Sequence, residues 1–119
     1  MIRHYTGSCH CGAVTFAFDG EDITGGLRCN CSLCARKGAV MSTYAIPEGK
    51  LEIQAESGAL GLYQFGAKTA RHFFCKHCGI YPFHETARQP GHYRVNLGCL
   101  DGVDTFALEI QVFDGKHLL

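Results

Sequence analysis

The sequence predicts a mostly β protein of antiparallel sheets, with at most one short helical turn. Three observations carry that expectation: strand-like segments outnumber helical ones, turn-forming pairs recur between them, and eight cysteines gather in tight clusters that can pin distant loops together.

Residues 13–18, Ala-Val-Thr-Phe-Ala-Phe, are rich in β-branched and aromatic side chains and follow the first cysteine pair directly. Residues 51–54 alternate apolar and polar, as do 71–74 more weakly, and 93–97 and 107–112 cleanly. Asp19-Gly20, Gly25-Gly26, Glu48-Gly49, Asp101-Gly102 and Asp114-Gly115 punctuate the chain as expected turns. The helical expectation is a single short turn from Ser32 to Lys37. With 119 residues and no repeat, low-complexity stretch or linker, one domain spanning 1–119 is expected.

Lys plus Arg equals Asp plus Glu at 11 each, so the chain is formally neutral. It advertises no basic face for nucleic acid and no acidic tail, and no nucleic-acid partner is expected. The longest apolar runs fall far short of the ~20 residues of a membrane span. The opening Met1-Ile2-Arg3-His4-Tyr5-Thr6 has no apolar signal-peptide core. The expectation is a cytoplasmic protein without a membrane partner.

The cysteines are grouped as Cys9-His10-Cys11, Cys29-Asn30-Cys31-Ser32-Leu33-Cys34 and Cys75-Lys76-His77-Cys78, with Cys99 alone. A C-x-C or C-x-x-C pair on a tight turn aims two thiolates at one point about 2.3 Å away, as tetrahedral zinc requires. The first and third clusters complement each other, since two such pairs fill one zinc shell. The middle cluster gathers three thiolates and leaves a fourth position for something else. Disulfides are the competing use of eight cysteines. Against them stand the missing export signal, the poor placement of cysteines one residue apart to bridge each other, and Gly12 and Gly79, which let a metal knuckle take positive φ. Ferredoxin-type iron–sulfur sites use four-cysteine runs that are absent here.

Gly7-Ser8-Cys9-His10-Cys11-Gly12, the Cys29/Cys31/Cys34 triplet, Cys75-x-x-Cys78-Gly79 and the stretch from Arg94 to Asp101 together resemble the glutathione-dependent formaldehyde-activating enzyme family, which also includes centromere protein V. The resemblance covers nearly the whole chain. It implies a zinc-pinned fold of antiparallel sheets, a β-tent, with two zinc ions per chain in unequal roles. Cys9, Cys11, Cys75 and Cys78 match the family's structural site, a full shell without open coordination. Cys29, Cys31 and Cys34 match its catalytic triplet, to which Cys99 is the alternative fourth ligand. The implied activity is a carbon–sulfur lyase reaction in which glutathione, or another small thiol, adds to formaldehyde or another small aldehyde. The alternative is a non-catalytic zinc module that binds a protein or thiol-carrier partner.

Other side chains are weighed beside those ligands. Arg36 and Lys37 follow the triplet and either offset its charge or bind glutathione carboxylates, or are solvated charges beside a loop. His10 and His77 sit in knuckles whose cysteines already satisfy a tetrahedral ion. His84 is read first as a packed or hydrogen-bonded histidine, and second as an acid or base lining the cleft. Phe73, Phe74, Tyr81 and Phe83 are read as core. Arg94 and Asn96, two apart on an expected strand, share one face. The residue pattern identifies no general base.

Overall fold

The computed structural model describes residues 1–66 and 70–118. Among the described residues the strands form three sheets. The first has the order β1 (Ile2–Ser8), β2 (Val14–Glu21) and β5 (Glu52–Ala55), all antiparallel. The second, of five antiparallel strands, has the order β4 (Ile46–Pro47), β9 (His92–Val95), β8 (Phe83–Glu85), β7 (Arg71–Cys75) and β6 (Leu60–Tyr63). The third is a two-stranded parallel pair, β3 (Gly25–Cys29) with β10 (Glu109–Phe113). Its two strands lie far apart in the chain, so their parallel register is a property of the tertiary fold.

The mostly β expectation holds, and the helical turn falls where expected, as α1 (Ser32–Lys37). A second short helix, α2 (Gly115–Leu118), begins at the expected Asp114-Gly115 turn. Two expected turns are instead strand. Asp19-Gly20 stays within β2, because β1 pairs along its whole length and sets Gly20 opposite Arg3. Gly25-Gly26 opens β3, where a Cβ on Gly26 would overlap Val40 Cγ1 and crowd Ile110 Cδ1. The glycines there serve close packing. The expected strand 107–112 begins later, after a 3-10 turn over Thr105–Ala107 whose N-cap Asp104 side chain accepts from the Phe106 N–H.

Val14, Phe16 and Phe18 occupy alternate positions of β2 and bury one face of the first sheet. They meet Phe73, Phe83, Tyr93 and Val95 of the five-stranded sheet. Phe83 lies at the centre, edge-on to Phe16 at 5.6 Å and to Tyr93 at 6.0 Å, and tilted against Phe73 at 5.5 Å. Phe73 and Phe83 are thus core, as expected. The 40–42 segment joins β3 to the large sheet through reciprocal Leu27 and Met41 backbone bonds and Ser42 N–H to the Val95 carbonyl. That linkage brings the end of β3, and with it Cys29, to the open face of the large sheet.

Candidate metal centres and the adjoining cavity

Two groups of sulfurs converge. The Sγ atoms of Cys9, Cys11, Cys75 and Cys78 lie within 4.8 Å of one another, and those of Cys29, Cys31 and Cys34 form a second group on the same criterion. All eight cysteines are free.

The four-sulfur group is built from two turns. One follows β1, where Cys9 N–H bonds the Val14 carbonyl and Val14 N–H points at Cys9 Sγ at 3.4 Å. The other follows β7, where Gly79 N–H bonds the Cys75 carbonyl. Gly12 and Gly79 take φ of 85° and 78°, the left-handed region that a knuckle needs. The Cys9–Cys11 and Cys11–Cys75 sulfurs are each 3.7 Å apart. A tetrahedral ion with metal–sulfur bonds of about 2.3 Å sets its sulfurs about 3.8 Å apart, so the group fits such an ion. The backbone N–H groups of Cys11 and Ile80 hold the Cys78 thiol down at about 6. At Cys11 the Ala13 amide favours the thiolate, but burial and the neighbouring sulfurs push its thiol up to about 12. Four sulfurs this close ionise together only around a cation.

The three-sulfur group spans the β3–α1 junction. Cys29 ends β3, and Cys31 is the N-cap of α1, its sulfur accepting from Cys34 N–H at 3.4 Å. Gly38 closes the helix at φ 66°, donating to the Cys34 carbonyl. Burial opposes the Cys31 thiolate, yet hydrogen bonds from Cys34 lower its pKa, while burial and Cys31 push Cys34 up to about 12. Cys99 joins neither group: its thiol donates to the Tyr81 carbonyl at 3.9 Å and is pushed up to about 11 by burial, then by Cys9 and Cys78. His10 and His77 are exposed and also outside both groups.

The triplet opens into a cavity of about 300 Å³. Leu27, Met41, Phe65 and Phe113 give it apolar walls, and Lys37, Arg88 and Arg94 bring positive charge. None of the described residues lining it is acidic. Lys37 enters from α1, its Nζ 2.7 Å from Nδ1 of His72 and 3.6 Å over the Tyr81 ring. Burial draws Lys37 down to about 8 against the pull of the three cysteines. Burial, then Lys37, takes His72 to about 4 and His84 to about 3, so both rings are neutral near pH 7. The Tyr81 hydroxyl, pushed well above its usual range by burial, bonds His84 Nδ1. Arg94 donates to the Ser42 carbonyl at 2.8 Å, and Arg88 stands 4.7 Å over the Phe113 ring.

Several sequence expectations change here. Tyr81, read as core, lines the cavity, and His84 is both hydrogen-bonded and cavity-lining. Arg36 and Lys37 part company, since Arg36 turns back to the Ser32 carbonyl on the exposed face of α1. Arg94 and Asn96 also separate: Asn96 lies beyond β9 and donates to the Tyr81 carbonyl. His72, Arg88, Phe65 and Phe113 were not anticipated, because no local motif marks residues from separate strands and loops that meet only in the tertiary fold.

Fold and sulfur geometry define a class: a small β protein with a four-cysteine group that could close around one metal ion and a three-cysteine group, facing a cavity, that could hold a second. The family model described as glutathione-dependent formaldehyde-activating enzyme matches residues 4–116, and the chain belongs to that family. A Rhodobacter sphaeroides protein of known crystal structure is similar, at 35% identity and a TM-score of 0.79, covering 89% of this chain and 99% of that one. Glutathione-dependent formaldehyde activation is the family-level function. Among the described residues, no helix is long and apolar enough to cross a membrane.

Proposed function

We propose that this chain is a zinc-dependent carbon–sulfur lyase of the glutathione–aldehyde type, joining glutathione and formaldehyde, or a related small thiol and aldehyde, reversibly into an S-hydroxymethyl adduct. One observation carries the reading: the Cys29, Cys31 and Cys34 sulfurs converge without a fourth ligand among the described residues and face the cavity. Two zinc ions per chain are proposed, one held by Cys9, Cys11, Cys75 and Cys78 for stability and one by the triplet for chemistry. A zinc ion at the triplet would hold a bound thiol as its thiolate at neutral pH.

The chain's own residues do the rest. Lys37, Arg88 and Arg94 offset the surplus negative charge of three thiolates, and Arg88 and Arg94 attract the carboxylates of glutathione. Leu27, Met41, Phe65 and Phe113 keep water from the reacting atoms, which strengthens each of those charge interactions. His72 and His84 stay neutral and add no charge. A reducing compartment, the cytoplasm, suits eight free thiols.

The experiment follows adduct formation by NMR line exchange, comparing zinc-loaded protein with the uncatalysed mixture of glutathione and formaldehyde. Acceleration that disappears in Cys31→Ser supports the reading. Full zinc content with no acceleration for formaldehyde or other small aldehydes assigns the chain to non-catalytic thiol or protein binding instead.

A further inference from the structure

The geometry points to Lys37 as a catalytic residue, the hydrogen-bond donor to the aldehyde oxygen as the carbon–sulfur bond forms. The inference rests on the lyase reading and adds a role for one side chain that the cysteine pattern does not specify.

Three observations converge on Lys37. Its ammonium lies in the cavity that the triplet faces, yet none of the ion pairs among the described residues includes it. A largely buried cation without a carboxylate is costly to keep unless it meets an anion in use. Its three N–H groups are also unevenly committed. One meets His72 Nδ1 at 2.7 Å and one faces the Tyr81 ring at 3.6 Å, so a third is left for the cavity. Finally, the ammonium is held in place: Tyr81 is tied by its hydroxyl to His84 and by its carbonyl to Asn96, and His72 is buried in β7. The other cations are spoken for differently, since Arg94 Nη1 bonds the Ser42 carbonyl and Arg88 lies over Phe113.

The step balances simply. The thiol gives its proton to solvent, and its sulfur pair forms the bond to the aldehyde carbon. The C=O π pair moves onto oxygen, which becomes an alkoxide and takes a proton back from solvent. Negative charge thus migrates from sulfur to oxygen, and a fixed N–H aimed at that oxygen is stronger in the transition state than in the ground state.

The test compares wild type with Lys37→Met at equal, measured zinc content. The expected result is a loss of about 100-fold or more in kcat with KM for glutathione little changed, as for removal of an oxyanion donor. Calorimetric binding of glutathione sulfonate, whose oxygens sit on sulfur, should weaken at least about tenfold in Lys37→Met, while S-methylglutathione binds both proteins alike. If wild type is active and Lys37→Met keeps its kcat, the Lys37 assignment is overturned and the lyase reading stands. If zinc-loaded wild type is inactive, the lyase reading falls, and equal sulfonate affinity in the two proteins overturns the Lys37 assignment as well. Should Lys37→Met fail to fold or load metal, Lys37→Leu, which also has no N–H to offer the aldehyde oxygen, carries the same comparison.

Discussion

The sulfurs of Cys11 and Cys75, 64 positions apart in the chain, stand 3.7 Å from each other. That approach ties the turn after β1 to the turn after β7, one from each of the two larger sheets. The triplet, by contrast, is local to one junction and bridges nothing.

The two groups should therefore respond differently to loss of a sulfur. Cys75→Ser is expected to abolish cooperative folding or to lower stability by several kcal/mol, on the order of a lost structural metal. Cys31→Ser should keep the wild-type near-UV circular dichroism while losing one metal equivalent. Equal unfolding by both substitutions, measured by thermal melts, would contradict the division of roles.

Metal analysis should find two zinc ions per chain. Glutathione at millimolar concentration should add a fourth sulfur to one of them, visible by X-ray absorption at the zinc edge. Cys99→Ser should retain both ions, because Cys99 belongs to neither sulfur group and bonds the Tyr81 carbonyl. Loss of one zinc in Cys99→Ser, with no glutathione effect in wild type, makes Cys99 the fourth ligand.

His84 should make stability fall in mild acid. Its folded pKa of about 3 lies below its ordinary 6.5, through burial first and then Lys37. Between those values the unfolded chain binds more protons, so stability is lost as pH drops below 6.5. The Tyr81 hydroxyl reinforces the sign, since it needs an unprotonated Nδ1 as acceptor. Between pH 7.5 and 5.5 the expected contribution is about 1 kcal/mol. Urea midpoints of wild type and His84→Gln, with metal content checked at each pH, measure it, and parallel pH profiles would refute it.

Gly26→Ala should destabilise by about 1–3 kcal/mol, the range of an overpacked core. The added methyl would overlap Val40 and press on Ile110, prying β10 and the 40–42 segment from β3. Gly12→Ala makes a useful contrast, because open space surrounds that position and only its φ of 85° is strained. Chemical denaturation should show an unchanged slope and a lower midpoint for Gly26→Ala. A loss of metal from the triplet before global unfolding would show that β3 also supports Cys29.

The features legible from the residues alone are local. Cysteines two and three residues apart beside Gly12 and Gly79 specify knuckles wherever the chain goes, and alternation along 13–18 and 93–97 specifies strands with one buried face. The Ser32–Lys37 helix was legible for the same reason. β1 was not, because most of its side chains are exposed and it lacks an apolar period; β2 supplies its pairing. Nor was the parallel β3–β10 pair, whose Gly25-Gly26 start reads locally as a turn. Which cations and rings meet the triplet depends on how distant strands and loops pack together. Adjacent residues on a helix point about 100° apart, so Arg36 and Lys37 are equivalent in sequence and opposite in fate. His72, His84 and Arg94 come from adjacent strands of the large sheet and Phe113 from β10 of the small one, and register together with the packing of the two sheets brings them to one cavity.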